Sequence, residues 1–72
     1  MVEMNYVDSS NIEAIGYDND AQELHVRFLS GTTYVYHGVP IEVYENLMSA
    51  PSKGSFLNRE IKRVYEFTQQ GN

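Results

Sequence analysis

Seventy-two residues, 42% of them hydrophobic, make one small domain and leave no room for two cores or a full nucleotide-binding sheet. The absence of cysteine excludes a disulfide framework and a thiolate metal site. The net charge of −5 disfavours nucleic acid on average; no apolar run reaches the ~18 residues of a membrane span, and Met1 to Ser10 lacks the cationic start and hydrophobic stretch of a signal peptide, so a cytoplasmic protein is expected.

Asn11 to Tyr17 sets Ile12, Ala14 and Ile15 among polar residues before Asp18-Asn19-Asp20, a first strand closed by a turn. Glu23 to Phe28 alternates without a fault and places Leu24, Val26 and Phe28 on one face. Thr32 to His37, rich in Thr, Tyr and Val, reads as a third strand, and the short connections imply an antiparallel meander. The Leu29-Ser30-Gly31 turn sets the register. Ser resists the positive φ that a two-residue type I′ loop demands, whereas a type I turn ending in a left-handed Gly31 pairs Phe28 with Thr32, Val26 with Tyr34 and Leu24 with Tyr36. Tyr34 and Tyr36 admit two readings, a sheet platform on which unstacked bases stack or core packing on Leu24, Val26 and Phe28; that register favours the second, burying both rings and leaving His25, Arg27, Thr33, Val35 and His37 on an exposed outer face.

Val39-Pro40 opens a helix whose apolar side carries Val43, Leu47 and Ala50, flanked by Ile41, Tyr44 and Met48, with Pro40 at the first helical position. Pro51-Ser52-Lys53-Gly54 ends it. Ser55 is read as the cap of a second helix running through Arg63, with Leu57, Ile61 and Val64 on one side and Arg59, Lys62 and Arg63 roughly opposite. Tyr65-Glu66-Phe67 either prolongs that helix or turns back as a short edge strand. The expected fold is α+β: a three-stranded antiparallel meander followed by two helices packed on one face. Residues 1–72 form one domain with its core at about 9–67, and residues 1–8 and 68–72 are expected to be loosely ordered.

The ordered set Ser9-Ser10-Asn11-Ile12, Ile15-Gly16-Tyr17-Asp18, Leu24-x-Val26-x-Phe28, Gly31, Tyr34-Val35-Tyr36, Val39-Pro40, Ser52-x-Gly54-x-Phe56 and Asn58-x-x-Ile61 resembles the KTSC domain family, from about Ser9 to Tyr65. The resemblance implies a small module that occurs alone in bacterial and phage proteins and at the C-terminus of some lysyl-tRNA synthetases, and it carries RNA binding as a suggested role. For a phage-encoded member the expected compartment is the host cytoplasm.

Catalytic chemistry finds no purchase here. His25 and His37 have no partner serine at an informative spacing, and Asp18 with Asp20 lies in a turn, where aspartates shape the backbone. A meeting of His25, His37 and Glu23 across strands is a chance metal site without a motif. The expectation is a protein that is not an enzyme and holds no metal or cofactor.

The charge is unevenly placed. Residues 1–45 carry eight acids and Arg27 alone, a net −7; residues 46–72 carry Lys53, Arg59, Lys62 and Arg63 against Glu60 and Glu66, a net +2. A local basic stripe acts within a Debye length of ~8 Å whatever the total. The expected phosphate- or RNA-binding residues are therefore Ser52, Lys53, Gly54, Ser55, Arg59, Lys62 and Arg63: helix-start N–H donors and dipole first, a cationic flank after. The ordinary reading is a capped amphipathic helix with a solvated outer side. The competing functional class is a protein-interaction or homo-oligomer module using the apolar arc of the first helix, with Ile41, Tyr44 and Met48 at its edge. Salt separates the two, because phosphate contacts weaken steeply with ionic strength and an apolar interface does not.

Overall fold

The computed structural model describes residues 2–70. Five strands, β1 (Met4–Tyr6), β2 (Ile12–Asp18), β3 (Glu23–Phe28), β4 (Thr33–His37) and β5 (Phe67–Gln70), form one antiparallel sheet in chain order. Between β4 and β5 come α1 (Ile41–Ser49), α2 (Lys53–Phe56) and a π-helical segment, Leu57–Ile61, that continues α2 directly. The expected three-stranded meander is thus corrected to a five-stranded, strand-rich α+β fold. β1 is three residues long and β5 is exposed throughout. Neither alternates between core and solvent, so hydrophobic periodicity does not mark them; β5 begins at Phe67, the last residue of the segment read either as helix or as a short edge strand, and lies at the sheet edge. Both lie in or beside the terminal segments expected to be loose; of those segments, Met1, Gly71 and Asn72 fall outside the described residues.

The turn between β3 and β4 follows the register argument. Gly31 has φ +99°, its N–H donates to the Phe28 carbonyl at 2.9 Å, and the Phe28 N–H donates to the Thr32 carbonyl at 2.9 Å. Two cross-strand rows follow on the inner face: Tyr17, Leu24, Tyr36 and Phe67, and Ile15, Val26, Tyr34 and Gln69. Against these rows pack Leu47 of α1 and Leu57 and Ile61 of the π segment, closing a core with Ile12, Ile15, Leu24, Val26, Tyr36 and Val39. Tyr17 ties the helical side to the sheet, because its hydroxyl donates to the Val39 carbonyl and its ring stacks on Tyr44 at 5.0 Å.

The outer face holds the residues expected there but is not bare. Val35 is buried and the His25 side chain is only 16% exposed. The N-terminal segment crosses this face: a Cβ on Gly16 would stand 2.6 Å from the Glu3 carbonyl oxygen and from the Val2 side chain. Only a glycine permits that approach.

Helix boundaries also shift. Pro40 is the residue before α1 rather than its first member. Ser52, not Ser55, caps α2, its Oγ accepting from the Ser55 N–H at 3.3 Å. The second helix ends at Ile61, not Arg63, and the Lys62 N–H reaches back to the Leu57 carbonyl at 2.8 Å. Such an i→i+5 bond widens the turn, so later side chains fall at angles that α-helical spacing does not give. Val64, expected in the core, is 65% exposed.

Candidate nucleic-acid interface

The start of α2 is a joint between elements. The Ser55 N–H donates to the Ser52 Oγ across the first turn. The Lys53 ammonium donates to the Ala50 carbonyl at 3.3 Å, steadying the end of α1. Gly54 faces Asn11, whose amide oxygen would lie 2.8 Å from an added Cβ. Asn11 is held in turn by Ser9, whose Oγ donates to that oxygen at 3.1 Å. These contacts account for Ser52, Lys53, Gly54 and Ser55 within the protein, and the helix they begin has only four residues before the π segment.

The cations further along are arranged differently. Arg59, Lys62 and Arg63 are exposed and, with Asn58, line a shallow depression of about 590 Å³. Arg59 makes a surface ion pair with the adjacent Glu60 at 3.6 Å, an arrangement of little energetic weight. Lys62 and Arg63 pair with no carboxylate among the described residues.

Lys62 and Asn58 also line a second hollow, a cleft of about 440 Å³ between the β3–β4 turn, the β4 rings and the π segment. Phe28, Tyr34 and Tyr36 form its aromatic wall, and Asn11 stands at its rim. Tyr34 meets Phe28 edge-on at 5.4 Å and Tyr36 at 6.3 Å, while Phe67 of β5 approaches both tyrosines. Tyr36 is 1% exposed. Its phenol pKa is pushed up, first by burial and then by the neighbouring Tyr34. Tyr34 is half-buried, a wall residue more than a core one. Neither reading of the two tyrosines, core packing or stacking platform, locates this cleft. Its walls come from residues 10–11, 28–36 and 57–62, and no local spacing joins those stretches.

On the outer face, Glu23 lies between the two histidines. His25 Nε2 is 3.4 Å from one carboxylate oxygen and His37 Nδ1 is 3.5 Å from the other. His37 Nε2 also meets the Thr68 hydroxyl at 2.9 Å. Among the described residues no three His, Asp or Glu side chains are arranged to hold a metal ion, and no helix is long and apolar enough to cross a membrane. Of the three residues offered as an apolar interface, Tyr44 stacks on Tyr17, Met48 packs against the core, and Ile41 is 37% exposed.

The family model of the KTSC domain matches residues 8–65. A protein of Tsukamurella paurometabola is 49% identical over 59 residues, which cover 82% of this chain and 88% of that one. A lysine–tRNA ligase of Nostoc punctiforme is 40% identical over 62 residues, covering 86% of this chain but 11% of the ligase. The crystal structure of a KTSC domain protein from Yersinia pestis superposes with a TM-score of 0.93 at 40% identity, covering 99% of this chain and 100% of that one. Family model, sequence relatives and tertiary structure agree, and the chain belongs to the KTSC domain family.

Proposed function

We propose that this domain is a non-catalytic accessory module, working in the cytoplasm, that binds single-stranded RNA through the backbone phosphates. The observation that carries the reading is the exposed trio Arg59, Lys62 and Arg63, two of them without an acidic partner among the described residues, on a chain that is otherwise strongly acidic. Ser52, Lys53, Gly54 and Ser55 serve it by fixing the start of the helical segment that carries Arg59 and leads into Lys62 and Arg63, and the reading calls for no cofactor. The Nostoc ligase, whose name joins lysine to tRNA, carries a like segment as a small part of its length; a domain so placed works beside RNA. The alternative, a protein-interaction or homo-oligomer module on Ile41, Tyr44 and Met48, has less free apolar surface at its disposal, because Tyr44 and Met48 already pack inward.

The test is fluorescence anisotropy of a labelled single-stranded RNA over a salt series. Three phosphate contacts on a single strand give a log–log salt slope of about −2. Reversing Arg59, Lys62 and Arg63 to Glu abolishes that affinity while the thermal midpoint moves by only a few degrees, since all three are exposed. Unchanged affinity in the reversed protein, or binding indifferent to salt in the parent, removes the reading and brings the interaction module forward.

A further inference from the structure

The cleft beside the basic face has the build of a ligand site. Its volume of about 440 Å³ falls in the ~300–1,000 Å³ range of small-molecule pockets. Its deepest member is Tyr36, almost wholly buried, and the phenol hydroxyl has no hydrogen-bond partner among the described residues. Tyr36 is one of the residues that line the cleft. A hydroxyl that makes no bond within the protein keeps its donor and acceptor capacity for a ligand.

The remaining wall narrows the chemistry. Phe28, Tyr34 and Tyr36 offer flat apolar surface, while the amides of Asn11 and Asn58 offer donors and acceptors at the rim. No carboxylate lines the cleft, and its one charge is Lys62. A flat ring with a hydrogen-bonding edge and an anionic tail fits that set, and a cationic or purely aliphatic ligand does not. Lys62 and Asn58 belong at once to this cleft and to the depression formed with Arg59 and Arg63. A group seated in the cleft thus leads out onto the basic face.

We propose that the cleft takes one unstacked base of a single-stranded RNA, with Lys62 on the phosphate of that nucleotide and the Tyr36 hydroxyl and the Asn11 and Asn58 amides on the base edge. This rests on the reading of Arg59, Lys62 and Arg63 as the RNA-backbone contact and assigns to it a base-binding pocket. Recognition of this kind holds an extruded base by ring contact and edge hydrogen bonds rather than by duplex geometry.

The test uses the full chain with labelled hexaadenylate, hexauridylate and an abasic ribose-phosphate hexamer of equal charge. At least one base-bearing hexamer binds about tenfold more tightly than the abasic one, a difference of about 1.4 kcal/mol. Asn58→Ala and Tyr36→Phe, which leave the fold standing, and Tyr34→Leu, verified as folded by circular dichroism, narrow that gap. The Arg59→Glu, Arg63→Glu pair weakens all hexamers alike and leaves the gap. An abasic hexamer bound as tightly as both others overturns the base pocket while sparing the backbone contact. If no hexamer binds, the backbone reading falls. Adenosine and uridine monophosphate at millimolar concentration then decide the pocket by amide NMR: shifts gathered at Asn11, Tyr34, Asn58 and Lys62 uphold it, and unshifted spectra overturn it.

Discussion

Gly54 and Asn11 are packed so closely that a Cβ on the glycine would stand 2.8 Å from the asparagine amide oxygen. The contact joins the segment before β2 to the start of α2, beside the cleft that Asn11 lines. Glycine is needed at this place for space, not for an unusual backbone angle.

Coupling between these residues follows. In the native background, Gly54→Ala gains nothing from its better helix propensity, because the Asn11 side chain must give way and loses its bond to Ser9. In an Asn11→Ala background the same change stabilises by up to ~1 kcal/mol. Urea unfolding of the four proteins measures the coupling, and additive effects would show that the contact is slack.

Tyr36 carries the core beneath the cleft. Tyr36→Ala costs ~3 kcal/mol or more, as for other large-to-small core changes. Tyr36→Phe leaves stability nearly unchanged, since no bond within the protein is lost. A Tyr36→Ala protein that unfolds like the parent would show a ring that contributes binding surface and little packing.

Alkaline pH exposes two of the six tyrosines. Burial raises the pKa of Tyr36, with Tyr34 adding to it, and burial followed by Glu42 and Asp18 raises that of Tyr17. The folded state therefore keeps these phenols protonated where the unfolded chain, at about 10, has lost its protons. Their contribution is complete below pH ~10 and falls away as pH rises through the folded values. Absorbance titration at the phenolate band shows a late component that shrinks in Tyr36→Phe and Tyr17→Phe, and six phenols titrating together near 10 would contradict the assignment.

Gly16 admits the N-terminal strand to the sheet. Because a Cβ there would meet a backbone oxygen as well as side chains, Gly16→Ala pushes β1 away and costs ~1–3 kcal/mol. Hydrogen exchange checks this directly: amide protection disappears across Met4–Tyr6 and persists in β3 and β4.

Tyr44 distinguishes packing from association. Stacked on Tyr17, it contributes to the folded monomer, and Tyr44→Ala lowers stability by about 2 kcal/mol, or ~10 °C in a domain of this size. The loss is the same at every protein concentration. A loss that grows on dilution of the parent would instead place Tyr44 in an oligomer contact.

The legible parts of this protein are those whose physics is local. Leu24, Val26 and Phe28 declare their face because β3 has a strand on either side and helices beneath it, and its period of two is intact. The Gly31 turn, and with it the facing of Tyr34 and Tyr36, follows from which residues tolerate positive φ. Arg59, Lys62 and Arg63 stand out as a run of cations in the chain, although only Arg59 lies within the helical segment, which ends at Ile61. The outer strands are another matter: β1 and β5 bury too little to leave a pattern, and each exists because a long-range partner, such as Tyr36 for Phe67, supplies its hydrogen bonds. The helical segment closes on a π turn at Ile61, so Leu57 and Ile61 go in while Val64, beyond its end, stays outside. The cleft belongs to the same class. Asn11, Tyr34 and Asn58 meet only when sheet and helix close on one core, and the bonding needs of a group such as the Tyr36 hydroxyl depend on neighbours that chain order does not bring together.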